Sequence, residues 1–168
     1  YALANGASGV TASEKDAPQL KAAVRKILAD LAYMLVQDGE GATKVMRINV
    51  AGAQDEADAE KIARTVGHSQ LVKTAMYGKD ANWGRIVAAV GRSGAAFNAK
   101  DVRVSMCGVE LFRDEQPTDL DFDTLLKEPL QGRDLTIDIS VGSGGGEYTL
   151  LASDLTHKYV DINADYRS

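Results

Sequence analysis

Between Asp16 and Gln37 the apolar residues fall at the spacing of a single helical face, and this pattern constrains the fold before anything else does. Leu20, Ala23, Val24, Ile27, Leu28, Leu31, Met34 and Leu35 recur three and four residues apart, so a 3.6-residue period gathers them into one stripe. Pro18 stands where a first turn tolerates a missing N–H, and Asp16 is the predicted N-cap. A polar turn bracketed by glycines follows, Asp38-Gly39-Glu40-Gly41-Ala42-Thr43-Lys44. The period then changes to two. Over Val45–Ala51 the apolar Met46, Ile48 and Val50 alternate with Arg47 and Asn49, as in a half-buried strand.

Further along, Gln54–Val66 reads as a second helix, acidic early and basic late in the sense that the helix dipole favours. Residues 71–80 read as irregular. Asn82 is placed to cap a helix over Trp83–Val90, with Gly91 as its stop. Val102–Cys107 and Val109–Phe112 read as strands meeting at Gly108, and Asp121–Lys127 as a short helix stopped by Pro129. Leu135, Ile137 and Ile139 alternate with polar residues. The run Gly142-Ser143-Gly144-Gly145-Gly146 separates that strand from Tyr148–Ala152, which predicts a hairpin. A last helix starts near Thr156 and ends before Asn163. Helices and strands in this mixture, without a repeat or a linker, predict one unit over residues 1–168 with α/β or α+β layers.

Composition narrows the function classes. Apolar residues are 45% and charged residues 26% of the 168, the balance of a folded chain in water. No apolar run reaches the roughly 20 residues of a membrane helix, and the start shows no basic, cleavable leader. The net charge of −5 with scattered Lys and Arg argues against nucleic acid. Cys107 is the single cysteine, which suits a reducing cytoplasm and a buried structural thiol. Two histidines and one cysteine do not suggest a zinc site. The opening Tyr1-Ala2-Leu3-Ala4 is apolar and strand-like, as if cut from a larger protein.

Three segments place polar groups where chemistry is conceivable. In the 38–44 turn, glycines on both sides of Glu40 let the backbone take positive φ or approach a ligand; the rival reading is a helix C-cap and a solvated carboxylate. The stretch Leu71–Arg85 concentrates Lys73, Thr74, Lys79, Asp80, Asn82 and Arg85 around the only tryptophan. It could hold an anionic carboxylate through Lys or Arg, or be a loop pinned by Trp83 with Asp80 and Asn82 as caps. The third is the tail from Tyr159 to Ser168, whose two tyrosines and isoleucine argue for docking over fraying. The 142–146 run lacks the Lys-Ser/Thr of a phosphate loop, and His68 and His157 have no triad partner at a telling spacing.

Together these segments resemble the ornithine acetyltransferase (glutamate N-acetyltransferase, ArgJ) family. Leu3-Ala4-Asn5-Gly6, Asp38-Gly39-Glu40-Gly41-Ala42-Thr43-Lys44, Leu71-Val72-Lys73-Thr74-Ala75 and Gly78-Lys79-Asp80-Ala81-Asn82-Trp83-Gly84-Arg85 are similar to its signatures in their order. So is the ending Asp154-Leu155-Thr156, Tyr159-Val160 and Ile162–Ser168. The resemblance implies an α/β layered sandwich of mixed sheets and helices, incomplete without upstream segments. It implies an enzyme moving acetyl from N-acetylornithine to glutamate in arginine biosynthesis, through an acetyl-threonine on a self-processed N-terminal nucleophile. That threonine, the oxyanion donors and a substrate lysine lie outside these residues, so no catalytic residue is expected here and this chain alone is expected inactive. The substrate contacts carried over are Glu40, Asn163 and Ser168, the last a threonine in many members. No cofactor is implied, although some members accept acetyl-CoA as donor. The partners implied are the α chain and the N-terminal part of the β chain of the same precursor, in an α2β2 assembly in the cytoplasm. The rivals are a paralogous acyltransferase acting on another acylated amine, or a non-catalytic assembly subunit.

Overall fold

A computed structural model describes residues 5–165. The strand-like reading of Tyr1–Ala4 and the site residue Ser168 therefore lie outside the described residues. Helix α1 spans Ala17–Gln37, close to the predicted bounds. Asp16 holds the N-cap position, but its carboxylate bonds back to the Ser13 hydroxyl (2.7 Å) and N–H instead of capping the helix. Strand β1 (Val45–Ala53) and helix α2 (Glu56–Gly67) follow. Asp55 caps α2 at Asp58 N–H, and the acidic first turn and basic last turn match the dipole.

Residues 71–80 are not irregular. Most of them form helix α3, Gln70–Tyr77, with Ser69 accepting from Val72 N–H at its start. The segment is too short to show a period by itself, and burial of Val72, Ala75 and Met76 against the core stabilises it. Helix α4 (Trp83–Gly91) begins as expected, with Asn82 Oδ1 accepting from Arg85 N–H at 3.1 Å. Trp83 stacks on Phe112 at 5.4 Å between ring centroids.

Strands β2 (Arg103–Met106) and β3 (Val109–Arg113) are joined by Cys107 and Gly108, at φ 48 and 82. Two positive φ values in a two-residue loop give the twist that an antiparallel hairpin needs. Cys107 is thus a half-buried turn residue, not a buried strand thiol. Asp114 and Glu115, at φ 50 and 62, make a second such turn into the short β4 (Gln116–Pro117), which the sequence reading lacked. Helix α5 (Phe122–Leu126) is capped by Asp121. Strands β5 (Asp134–Ser140) and β6 (Gly146–Ser153) and helix α6 (His157–Ala164) complete the described chain.

The strands form one mixed sheet in the order β4-β3-β2-β5-β1-β6. The predicted hairpin between β5 and β6 is not there. β1 lies between them, parallel to β5 (Ile48 opposite Ile137) and antiparallel to β6 (Ile48 opposite Leu150). The glycine run crosses the end of β1 instead of reversing the chain beside β5. Val141 N–H donates to Ala51 O and Gly144 N–H to Gly52 O. A Cβ on Gly52, itself at φ +76, would sit 2.1 Å from Gly142 O, and one on Gly144 would sit 2.0 Å from Ala53 O. Only residues without side chains permit two backbones to pass this closely.

On one face of the sheet, Met46, Ile48 and Val50 of β1, Leu135, Ile137 and Ile139 of β5 and Val104 and Met106 of β2 are buried. They share a single cluster with Ile62 and Val66 of α2, Met76 of α3 and Ile86 of α4. The other face carries a polar row: Asn49 donates to Asp138 (2.8 Å) and accepts from Thr149 (3.0 Å). The apolar stripe of α1 is real but uncovered by the described residues; Leu28, Leu31, Met34 and Leu35 are 60%, 50%, 58% and 77% exposed.

Candidate functional site

The turn from Asp38 to Lys44 is held by groups that the sequence reading quoted without a role. Asp154, buried just past β6, takes Thr43 N–H (2.8 Å) and Lys44 N–H (3.0 Å) on Oδ1 and the Thr43 hydroxyl (2.5 Å) on Oδ2. Three donors on one carboxylate satisfy it without a counter-ion. Thr156 caps α6 by accepting from Tyr159 N–H (3.2 Å), and its hydroxyl donates to Gly41 O (2.8 Å). The turn signature and the Asp154-Leu155-Thr156 signature are therefore the two sides of one hydrogen-bonded joint.

Gly41 is required there. Its φ is +67, and a Cβ would lie 2.7 Å from Tyr159 N and 3.0 Å from the Lys158 carbonyl carbon. The turn and the first residues of α6 touch backbone to backbone. On the far side, Lys44 is buried and its ammonium donates to Leu130 O (2.8 Å), Gln131 O (3.1 Å) and Gly132 O (2.6 Å). Burial, and after it the charge of Lys79, pull the Lys44 pKa below the ordinary lysine value, with Asp154 opposing. Three carbonyl acceptors make this lysine a strut between the turn and the segment before β5.

The joint brings two of the three predicted substrate contacts together. Asn163 Nδ2 donates to Glu40 Oε2 at 2.9 Å and to Tyr159 O at 2.9 Å. The predicted end of the last helix is corrected here: α6 runs through Asn163, and its helical phase lays that amide beside the turn. In this chain Glu40 and Asn163 are exposed, so the sheltered setting expected for Glu40 is not supplied by the described residues. Glu40 stands at a cleft of about 350 Å³ lined also by His68, Lys73, Ser153, Asp154 and Tyr159. His68, read as ordinary, makes no triad but borders this cleft.

The other polar segment divides. Arg85 bonds Leu71 O (2.9 Å) and Thr74 Oγ1 (3.3 Å), fastening α4 to α3, and Asn82 bonds Asp80 (2.9 Å). Lys79 donates to Gln131 Oε1. These groups hold the fold: Trp83 and the Asn82 cap pin the segment as the pinned-loop reading had it, but most of it is helix and Asp80 caps nothing, while Lys73 borders the cleft. Among the described residues no group of three His, Cys, Asp or Glu is placed to hold a metal ion, and no helix is long and apolar enough to cross a membrane.

A mixed six-stranded sheet with helices on its apolar face, and a glycine-held carboxylate joined to the last helix beside a small cleft, defines an α/β protein. Residues 1–168 match the ArgJ family model from end to end, and the chain belongs to that family. It is 73% identical over all its residues to the arginine biosynthesis bifunctional protein ArgJ of Nitratidesulfovibrio vulgaris, covering 43% of that protein. It is 42% identical to the chloroplastic ArgJ of Oryza sativa over 98% of the chain and 37% of the relative. The crystal structure of ArgJ from Bacillus halodurans superposes with a TM-score of 0.87 at 33% identity, over 94% of this chain and 74% of that one. The layered α/β class expected from the resemblance is thus the observed one. The chain spans well under half the length of these curated relatives.

Proposed function

We propose that this chain is the C-terminal part of the β chain of an acetyltransferase that moves acetyl from N-acetylornithine to glutamate in arginine biosynthesis. In this reading the chemistry belongs to an acetyl-threonine on a nucleophile outside these residues, exposed by self-cleavage of a precursor. The present residues build one wall of the substrate site. Glu40 takes the substrate's side-chain ammonium, Asn163 orients that carboxylate, and Ser168 contributes a further polar contact from the tail. No cofactor is needed, with acetyl-CoA as an alternative donor, and the setting is the cytoplasm.

The observation that carries the reading is the meeting of Glu40 and Asn163 across 123 residues of sequence, at 2.9 Å, in a chain of this family. A carboxylate offered at a polar cleft suits an ammonium. The partners in this reading are the α chain and the N-terminal part of the β chain, in an α2β2 assembly. The uncovered stripe of α1 supports them, because so large an apolar patch marks a contact surface.

The test is steady-state kinetics of the complete protein with N-acetylornithine and glutamate, wild type against Glu40→Gln. The variant keeps size and one acceptor but loses the charge. A lost charge-assisted pair predicts a fall in kcat/KM of about tenfold to a hundredfold or more, with the melting temperature little changed. A fall under about fivefold with folding intact would return Glu40 to a solvated turn carboxylate.

A further inference from the structure

The two edges of the sheet differ in kind. At one edge β4 is two residues long and ends on Pro117, and both its shortness and the missing N–H blunt it. At the other edge lies β6, eight residues long, and its stretch Tyr148–Ser153 holds no proline, glycine or charged residue. The direction of its backbone groups follows from β1. Val45 N–H donates to Arg133 O (2.8 Å) and Ala51 O accepts from Val141 N–H (3.1 Å), so the odd-numbered residues of β1 bond toward β5. Met46, Ile48 and Val50 therefore bond toward β6, where they stand opposite Ala152, Leu150 and Tyr148. The alternate residues of β6, Thr149, Leu151 and Ser153, turn their N–H and C=O groups away from the sheet. Among the described residues these groups have no partner.

Folded proteins blunt or cover an edge of this kind, because it templates pairing with any extended chain. The side chains beside it are incompletely covered on both faces: Tyr148 and Leu150 on the α2 side and Leu151 on the other are half-buried. We propose that a further strand, contributed by a segment of the complete protein outside residues 1–168, pairs with the outer edge of β6 and extends the sheet. Its chemistry follows from its neighbours: an uncharged extended segment with apolar side chains on both faces where it passes Leu150 and Leu151. The proposal rests on the reading of this chain as one part of a larger protein, and the curated relatives, more than twice the length of their matched part, have residues to supply the strand. A second copy of this chain suits the edge less well. Association of separate molecules takes about 1,200 Å² or more of buried surface, of which one eight-residue edge provides a small part, whereas a strand of the same protein needs no such interface of its own.

The experiment is hydrogen–deuterium exchange of the complete protein, resolved to single amides by mass spectrometry. It is run at two concentrations about a hundredfold apart, beside size-exclusion chromatography and the acetyl-transfer assay. The amides of Leu150 and Ala152, bonded to β1, are the protected references. Those of Thr149, Leu151 and Ser153 are expected to exchange about a hundredfold or more slower than in an unstructured peptide, equally at both concentrations. A segment outside residues 1–168 should show protection at alternate amides, the pattern of a new edge strand. Exchange of the three outward amides within about tenfold of the unstructured rate, with the references protected, would mean an open edge and overturn the proposal. Protection lost at the lower concentration as the assembly falls in mass would put a second copy there, and protection without an alternating segment elsewhere would mean a cover that is not a strand; each also overturns it. The functional reading fails separately: a protein that transfers no acetyl from N-acetylornithine yet keeps these amides protected refutes that reading and leaves the strand, and an active protein with an open edge does the reverse.

Discussion

Replacing Gly41 by Ala tests whether the joint between the turn and α6 is as tight as its geometry requires. The φ of +67 places an L-residue in the left-handed region, at about 1–2 kcal/mol. Restricting the unfolded chain returns roughly 0.4–1 kcal/mol of that. The new Cβ would fall 2.7 Å from Tyr159 N and 3.1 Å from Lys158 Cβ. The first of these is backbone, so no side-chain rotation relieves it and the start of α6 must move. That movement strains the 2.8 Å bond from Thr156 to Gly41 O, worth about 1–3 kcal/mol at a partly buried site. The net expectation is a loss of roughly 2–3 kcal/mol, seen as a drop of several degrees in the melting temperature of the complete protein. Asn163 would move away from Glu40 at the same time, so substrate KM should rise. Gly41→Asn separates the causes: Asn tolerates positive φ but carries the same Cβ. Full stability in Gly41→Asn would refute the close-approach argument, and a Gly41→Ala protein within about 0.5 kcal/mol of wild type would refute the whole account.

Two further outcomes are expected. Asp58 accepts from the Lys61 ammonium (2.7 Å) and from Ala96 N–H (3.3 Å), and these bonds hold its pKa below the ordinary 3.8; the stability it contributes is complete above that value and is lost as pH falls through the lower folded one. Melting temperature against pH should therefore fall less steeply below about pH 4 for Asp58→Asn than for wild type, and parallel curves would remove Asp58 from the acid transition. On α1, Leu28→Asp with Leu31→Asp changes residues that are 60% and 50% exposed in this chain, so under the function proposed above it should leave the local fold intact while weakening association with the proposed partner chains, read by size-exclusion chromatography after coexpression. Unchanged assembly would exclude this face from the interface.

The sequence by itself determined the long elements and one of the two helix caps it named, Asn82 and not Asp16. Periods of 3.6 and 2 announce α1, β1, α2 and β5, because burying one face imposes the spacing locally, and Asn82, Asp121 and Thr156 mark helix starts because their side chains bond N–H groups three residues on. The signatures around Glu40 and Asn163 were legible as resemblance. What the sequence withheld is long-range. Strand order depends on which edge β6 reaches, and nothing local distinguishes a glycine-rich hairpin from a glycine-rich crossing over β1; only the approach of Gly52 to Gly142 and of Gly144 to Ala53 decides it. α3 forms because the core lies under Val72 and Met76, and a segment of that length carries too few turns to declare itself. The roles of Asp154 and Lys44 were hidden for the same reason. A carboxylate that receives the N–H groups of Thr43 and Lys44 across more than a hundred residues is a property of packed neighbours. The tertiary structure supplies those neighbours.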